Sequence, residues 1–408
     1  MTSDHVVPLR RLFRVVNGGT PTPAQANWNG SVPWATPVDL GASAGAISQT
    51  QRTLTQLGAR TGSRVVPAGS LILSTRAPIG YIAIAQREMA FNQGCRALVA
   101  TSPVDIRYFY YQLSAATKEL QSLGQGSTFQ ELSSEVLASH LVHAPDLEDQ
   151  RRIADFLESE VGRIDRLAKV QQEMLLRLNE RDLAILDSKI EELFGAFGAA
   201  PFRRYIASVE QGSSPQCDNM PAEVGEWGVL KVSSVKRGAF HPSENKKLPN
   251  EMAPAIRYEV REGDLLVTRA NTPALVGAAA VVGRVRRKLM LCDKIFRIRT
   301  TSGLDKSFLA MVARGTRIRD LCAAASHGTS QSMANLKIEE IKEWPIPAAP
   351  LAAQRLMLSE VSAHHGATAD LGAAVRRQLG LLRERRHALI RAAVSGQIDL
   401  TTGRGVDL

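Results

Sequence analysis

Few side chains in this sequence could do acid–base or metal chemistry, and their spacing is wrong for it. The Asp187-Ser188-Lys189 triplet, with Pro145-Asp146 upstream, has the residue types of a nuclease metal site. The two parts are too far apart, and both fall on one long helical stretch that offers no concave ion site. His140 and His143 are three apart, and His364 and His365 are adjacent, but neither pair has cysteine or carboxylate partners at ligand spacing. Surface or capping roles are expected for them. Cys95, Cys217, Cys292 and Cys322 are scattered without a C-x-x-C spacing, which points to buried free thiols instead of disulfides or zinc. No G-x-x-x-x-G-K-[ST] loop, glycine-rich nucleotide turn or Asn/Asp-Pro-Pro-aromatic tetrapeptide is present. The residues read as those of a recognition protein, not a catalyst.

The remaining chemistry is that of polyanions. The net charge of +10 is segregated along the chain. Residues 8–130 carry 11 basic and 4 acidic side chains, net +7, and residues 227–299 carry 15 and 6, net +9. Residues 146–192 carry 8 and 13, net −5, while 351–395 carry 7 and 3, net +4. Two strand-rich basic blocks therefore flank an acidic helix, as expected of two phosphate-facing surfaces and a spacer. Arginine reads guanine, and asparagine or glutamine reads adenine, at base edges. Loop residues suited to such contacts in the first block are Thr20, Ser74, Thr75, Arg76, Asn92, Gln93, Ser127 and Thr128. In the second they are Lys231, Lys236, Arg237, Thr268, Arg269, Asn271, Lys294, Thr329, Ser330 and Gln331. Asn92–Gln93 also fits a plain turn, and Thr75 and Thr268 fit strand ends. The Tyr108-Phe109-Tyr110-Tyr111 cluster has the composition of a base-stacking platform, but at a helix start it is expected to pack that helix on a sheet.

The elements that must position these residues repeat. A chain of 408 residues, 44% hydrophobic and 22% charged, should hold two or three domains. Short strands are expected at 70–76, 80–85 and 95–100, and a helix at 105–123. A long helix follows from about 146 to 194. Its seam of Leu157, Val161, Ile164, Ala168, Gln171, Leu175, Leu178, Asp182 and Ile185 has 3.5-residue spacing, as in a coiled coil. At 1.5 Å per residue it is about 70 Å long and needs a partner helix. "GAFGAAP" at 195–201 should break it.

The second block, about 202 to 347, restates the first. "VREGDLLVTRANTPALVGAAAVVG" at 260–283 aligns with "VPAGSLILSTRAPIGYIAIAQ" at 66–86, each with a strand ending Thr-Arg-Ala. "GTSQSMANLKIEEIKEWPIP" at 328–347 aligns with "GSTFQELSSEVLASHLVHAP" at 126–145. A second long helix spans about 351 to 394, with a seam of Leu358, Val361, Leu371, Val375, Leu379, Leu382 and Leu389, interrupted around 364–366. The expected architecture is α+β: two similar mixed α/β domains separated by two long antiparallel coiled-coil helices, in a pseudo-twofold internal repeat. No run reaches membrane-spanning length and the first residues lack a signal-peptide core, so a cytoplasmic protein without membrane contact is expected.

Over essentially its whole length the chain resembles the specificity (S) subunit of type I restriction–modification enzymes. The resemblance is carried by "GSTFQELS" (126–133), by "APDLEDQRRIADFLE" (144–158) with its Pro-x-x-x-x-Gln-Arg signature, and by "LLRERRHALIRAAVSGQIDL" (381–400). "NGGTPT" (17–22) and "STRAPIGYIAI" (74–84) are similar to family loops. The resemblance implies target recognition domains at 1–145 and 197–348, conserved spacer helices at 146–196 and 349–408, and a bipartite site in double-stranded DNA. It also implies two modification (methyltransferase) subunits as partners, bringing S-adenosylmethionine, and restriction subunits using ATP and Mg. No cofactor or metal is expected on the chain itself. The alternatives are a stand-alone DNA methyltransferase or nuclease with its own active site, and a coiled-coil assembly protein whose basic blocks bind acidic partners. Departures from the family pattern are "AILDSKIEELFG" at the end of the first long helix, "GTSQSMANL" in the second copy, and "PLAAQRL" without the acidic pair.

Overall fold

The apolar runs LILS and LLVT, each entered through a glycine turn and each fully buried, become central strands of two equivalent sheets. In the computed structural model, which describes residues 6–76, 78–124, 130–325, 327–330 and 333–398, the chain forms two units. One is Met1–Gln172 with Arg376–Leu408, and the other is Glu173–Val375. Among the described residues no helix is long and apolar enough to cross a membrane.

In the first unit β1 (Val6–Pro8) precedes a sheet of β2 (Phe13–Asn17), β3 (Ala46–Ile47), β4 (Leu71–Ser74), β5 (Ile82–Ala85) and β6 (Cys95–Ala100). The sheet order is β2-β6-β4-β5-β3. A smaller sheet combines Thr53–Leu54, Trp28–Ala35, Met89–Phe91 and Val65–Val66. The helix α1 (Ile106–Ala115) is N-capped by Asp105. Its Tyr108, Phe109 and Tyr111 are buried, with Phe109 edge-on to Phe13 at 5.1 Å. The aromatic cluster is therefore packing, not a stacking platform. β7 (Leu141–His143) closes on β1, and the long α2 (Leu147–Phe197) follows.

The second unit repeats this plan. β8 (Ala199–Pro201) precedes β9 (Ile206–Gln211), β10 (Leu265–Thr268), β11 (Ala279–Val281) and β12 (Ile295–Thr300), in the order β9-β12-β10-β11. Then come α3 (Lys306–Val312), capped by Asp305, and β13 (Pro345–Pro347), which pairs with β8. The long α4 (Leu351–Val394) ends the repeat. In the strand register Cys95 faces Ser74 and Ile295 faces Thr268, so Ser74 and Thr268 are equivalent. The Thr-Arg-Ala motifs of the two copies are thus one residue out of step. Backbone pairing fixes the equivalence: Thr75 N donates to Gly94 O and Arg269 N to Lys294 O, both at 2.8 Å.

Every seam position expected on α2, from Leu157 to Ile185, is buried or half-buried, because 3.5-residue spacing keeps one face toward a partner. The partner within each unit is α4, antiparallel. In the first unit Gln171 bonds Gln378 and Asp165 accepts from Arg386; in the second Asp182 meets His365 at 2.7 Å and Lys189 meets Glu360 at 3.1 Å. On α4 the expected seam needs one correction. Leu371 is 48% exposed and Gly372 is buried in its stead, the position that steps of four and three from Val361 reach. The helix is also continuous through 364–366. Nor does α2 break at Gly195: it runs to Phe197 and stops at Gly198, whose φ of +72° is a left-handed helix stop.

The signature glutamines tie each long helix to its sheet-bearing block. Gln150 is 4% exposed; its Oε1 accepts from Asp105 N at 2.9 Å and its Nε2 donates to Pro145 O at 2.8 Å. Gln354 is fully buried; its Oε1 accepts from Asp305 N at 2.9 Å and its Nε2 donates to Ala349 O and Gly303 O at 2.8 and 3.0 Å. Replacing either with leucine strands those peptide groups, so Gln150→Leu and Gln354→Leu should each cost about 1–3 kcal/mol. Chemical denaturation checks this, and an unchanged midpoint in both variants removes the role.

Candidate nucleic-acid interface

The polar ends of the two sheets are built alike. After β2 the chain passes through Gly18 and Gly19, and Gly19 N donates to Phe91 O at 3.0 Å. After β9 it passes through Gly212 and Ser213, and Ser213 N donates to Leu291 O at 3.1 Å. A Cβ at Gly18 would lie 2.0 Å from Asn92 O, and one at Gly212 2.2 Å from Leu291 O, so only glycine allows the approach. The next hydroxyl then meets the turn before β6 or β12. Thr20 Oγ1 donates to Gln93 Oε1, and Ser214 Oγ donates to Asp293 Oδ1. The backbone carbonyl of each turn residue is supported as well, Gln93 O by Arg96 at 2.9 Å and Asp293 O by Gln211 at 3.0 Å.

In the first unit these contacts extend into a polar strip. Arg96 donates to Ser134 at 2.7 Å and to Glu131 at 3.1 Å, and Arg76 donates to Glu131 at 2.6 Å. The Arg76 hydrogen bond, aided by the charges of both arginines, holds the Glu131 carboxyl below the usual range. Thr20, Arg76 and Gln93 are thereby brought together. Asn92 serves the turn, its Oδ1 accepting from Gly94 N at 3.1 Å.

In the second unit a cleft of about 480 Å³ is lined by Ser214, Lys231, Lys246, Cys217, Asp293 and Lys294. It brings Lys231 and Lys294 together, and the backbone of Arg269 is bonded to Lys294. Lys236 and Arg237 are exposed at the hairpin of Val235–Lys236 and Ala239–Phe240, where Arg237 takes a φ of +27° and reaches Ala274 O at 3.4 Å.

Three of the expected contacts instead build the turns. Ser74, Thr75 and Thr268 are fully buried. Ser74 Oγ donates to Pro78 O and accepts from Tyr81 N, at 2.7 and 2.9 Å. Thr268 Oγ1 repeats this with Leu275 O and Ala278 N, both at 3.0 Å, and Thr75 donates to Gly94 O at 3.2 Å. Asn271 is 7% exposed, its Oδ1 accepting from Thr272 N at 2.8 Å. Thr329 and Ser330 lie on the strand His327–Ser330, and Ser127, Thr128 and Gln331 lie outside the described residues. Reading the residues one copy at a time missed Ser214, Lys246, Asp293, Arg96 and Glu131. Superposing "NGGTPT" on "QGSSPQ" would have placed Ser214 with Thr20 and pointed to Asp293.

The residues with catalytic types are engaged in structure. Asp187 accepts from Thr316 N and Oγ1 at 2.8 and 2.5 Å, and Lys189 pairs with Glu192 and Glu360. His143 Nδ1 lies 3.1 Å from the Tyr108 hydroxyl, and buried His140 is held below its usual pKa by desolvation. Cys95, Cys292 and Cys322 are buried, and burial pushes the Cys95 thiol up to about 12. Among the described residues no group of three or more His, Cys, Asp or Glu is arranged to hold a metal. Gly18→Ala and Gly212→Ala should force the paired loops apart at about 1–3 kcal/mol each, with faster hydrogen exchange at the Gly19 and Ser213 amides. Unchanged protection at those amides would show that the close approach is not needed.

Residues 5–174 match the model of the type I restriction modification DNA specificity domain. The chain is 34% identical over 158 residues to the EcoEI specificity subunit of Escherichia coli, covering 38% of this chain and 27% of that one. It is 35% identical over 157 residues to the MjaIX specificity subunit of Methanocaldococcus jannaschii, covering 37% and 36%. The aligned stretch thus spans about a third or less of these relatives' lengths. A solved chain described under complex assembly and conformational transition of the type I R-M system has the same fold, with a TM-score of 0.69 at 16% identity over 96% of this chain and 97% of that one. The chain carries, in residues 5–174, a domain of the type I restriction–modification DNA specificity family.

Proposed function

We propose that this chain is the specificity subunit of a type I restriction–modification enzyme and that each unit reads one half of a bipartite site in double-stranded DNA. One observation carries the reading. Both units hold the same loop pair in the same backbone bonds, yet present different polar side chains from it, within a fold whose first copy matches a DNA specificity domain. Thr20, Arg76 and Gln93 in the first unit, and Lys231, Lys236, Arg237, Arg269 and Lys294 in the second, are the proposed contacts. Cations on the phosphates supply sequence-independent affinity through counterion release, and side chains at base edges, arginine included, supply discrimination. Catalysis belongs to partners: two modification subunits bringing S-adenosylmethionine, and restriction subunits using ATP and Mg. The proposed division of the chain is recognition by 1–145 and 197–348, with 146–196 and 349–408 as spacer and docking helices.

Genome-wide methylation sequencing of cells holding this chain and its methyltransferase partner should give a split motif that disappears when the chain is deleted. Methyl transfer by the purified chain alone would establish the stand-alone enzyme instead. Lys231→Ala and Lys294→Ala should each lower the salt dependence of DNA binding, log K against log salt, by about one unit and leave base preference intact. A matched one-heptad insertion in both α2 and α4 should change the gap between half-sites and not the bases within them. Altered bases with an unaltered gap would remove the spacer assignment.

A further inference from the structure

The two equivalent turns of the repeat differ in hydrogen-bond polarity. Thr20 fixes Oε1 of Gln93, and Ser214 fixes Oδ1 of Asp293. Among the described residues, the remaining atoms, Nε2 of Gln93 and Oδ2 of Asp293, have no hydrogen-bond partner. Gln93 thus keeps a donor free. The carboxylate side chain of Asp293 carries no N–H and offers an acceptor there.

The surroundings of Asp293 sharpen the contrast. It shares its cleft with Lys231, Lys246 and Lys294, yet none of them lies within ion-pair distance of it. A carboxylate in a cleft that attracts phosphate works against binding, since like charges repel. That cost is offset if the carboxylate meets a donor on the nucleic acid. In the major groove the only base-edge donors are the exocyclic amines, cytosine N4 and adenine N6, while guanine offers two acceptors and thymine an acceptor and a methyl group. The scaffold also limits where Oδ2 can go. Ser214 Oγ accepts from Asp293 N at 3.2 Å while donating to its Oδ1, and Gln211 holds the Asp293 carbonyl, so both side chain and backbone are clamped.

We infer that Asp293 is a specificity-determining residue whose free oxygen accepts a hydrogen bond from an exocyclic amine at the major-groove edge, cytosine N4 first and adenine N6 second. The inference rests on the DNA-recognition reading above and names the base chemistry of the half-site read by Glu173–Val375. Asp293→Asn keeps the shape and adds a donor. With the methyltransferase partner present, its methylation motif should change at one position of one half-site: a cytosine there should give way to a purine or to no preference, and an adenine there should no longer be preferred over guanine, since the amide held by Ser214 presents Nδ2 as a donor to purine N7. The other half-site should stay as in the wild type. Gln93→Glu is the reciprocal change and should introduce a preference for an amine-bearing base in the opposite half. Binding of the purified wild-type and Asp293→Asn chains to duplexes varied one base pair at a time gives a second readout, expected to lose roughly tenfold to a hundredfold discrimination at that position. Unchanged base preference in both measurements overturns the inference, including where methylation is lost but binding still discriminates as before. A wild-type chain that directs no split motif overturns the recognition reading itself, a different outcome from an unaltered motif in the variant.

Discussion

Each long helix begins by burying an amide, and the rest of each unit depends on how that amide is satisfied. A buried glutamine without partners would be strongly unfavourable, so its bonds dictate which backbone must stand beside it. In both copies that backbone is the N-cap of the helix lying on the sheet, Asp105 or Asp305, together with the loop that opens the long helix. The sheet, its covering helix and the start of the long helix therefore form one rigid piece. In the first unit a second tie joins them, because the Tyr108 hydroxyl reaches Val394 O at 3.3 Å near the end of α4. Phe308 stands at the equivalent place in the second unit, where apolar contact with residues such as Leu186, Met357 and Val361 builds the core without that bond.

On this frame the two copies share backbone bonds more than side chains. The glycine approach, the strand register and the hydroxyl-to-turn contact recur, while Gln93 gives way to Asp293, Arg96 to Phe296 and Gly94 to Lys294. Backbone hydrogen bonds are indifferent to side-chain identity, so the exposed ends of these turns can diverge at little cost to folding. Divergence of that kind is what the proposed reading of two different half-sites demands. It follows that recognition residues are found by structural equivalence between the copies, not by identity.

This explains what was legible in the sequence. The strand at Cys95–Ala100 and the helix at Leu351–Val394 were readable because burial imposes a period on long or wholly apolar segments. The seam of α2 was readable for the same reason, down to its polar positions Gln171 and Asp182, which find Gln378 and His365. The exit of α2 was not, since Gly195 and Gly198 look alike in sequence and only the second adopts the left-handed backbone. Leu371 misled because an isolated leucine near the right spacing outweighs a glycine on a hydropathy pattern. At the candidate interface, polar type suggested Ser74 and Thr268 as contacts, yet a hydroxyl beside a tight turn is claimed first by the turn's own peptide groups. Asp293 escaped notice because an acidic residue in a basic block reads as solvated charge until its clamped geometry is seen.

Charge segregation takes its meaning from the same comparison of magnitudes. The acidic side chains of α2 do meet bases on α4, as Asp165 with Arg386 and Asp182 with His365, but one partner of each pair is exposed, Asp165 at 54% and His365 at 51%. Exposed pairs contribute at most about 1 kcal/mol each, whereas burying one leucine or valine of the seam contributes about 1.5–3 kcal/mol. The apolar seam, not the ion pairs, therefore holds the two helices together within each unit. The net −5 of 146–192 is then free to serve another end. A surface of that sign repels phosphate, so under the proposed function a duplex is directed to the basic blocks, where the cleft beside Asp293 and the strip beside Gln93 lie.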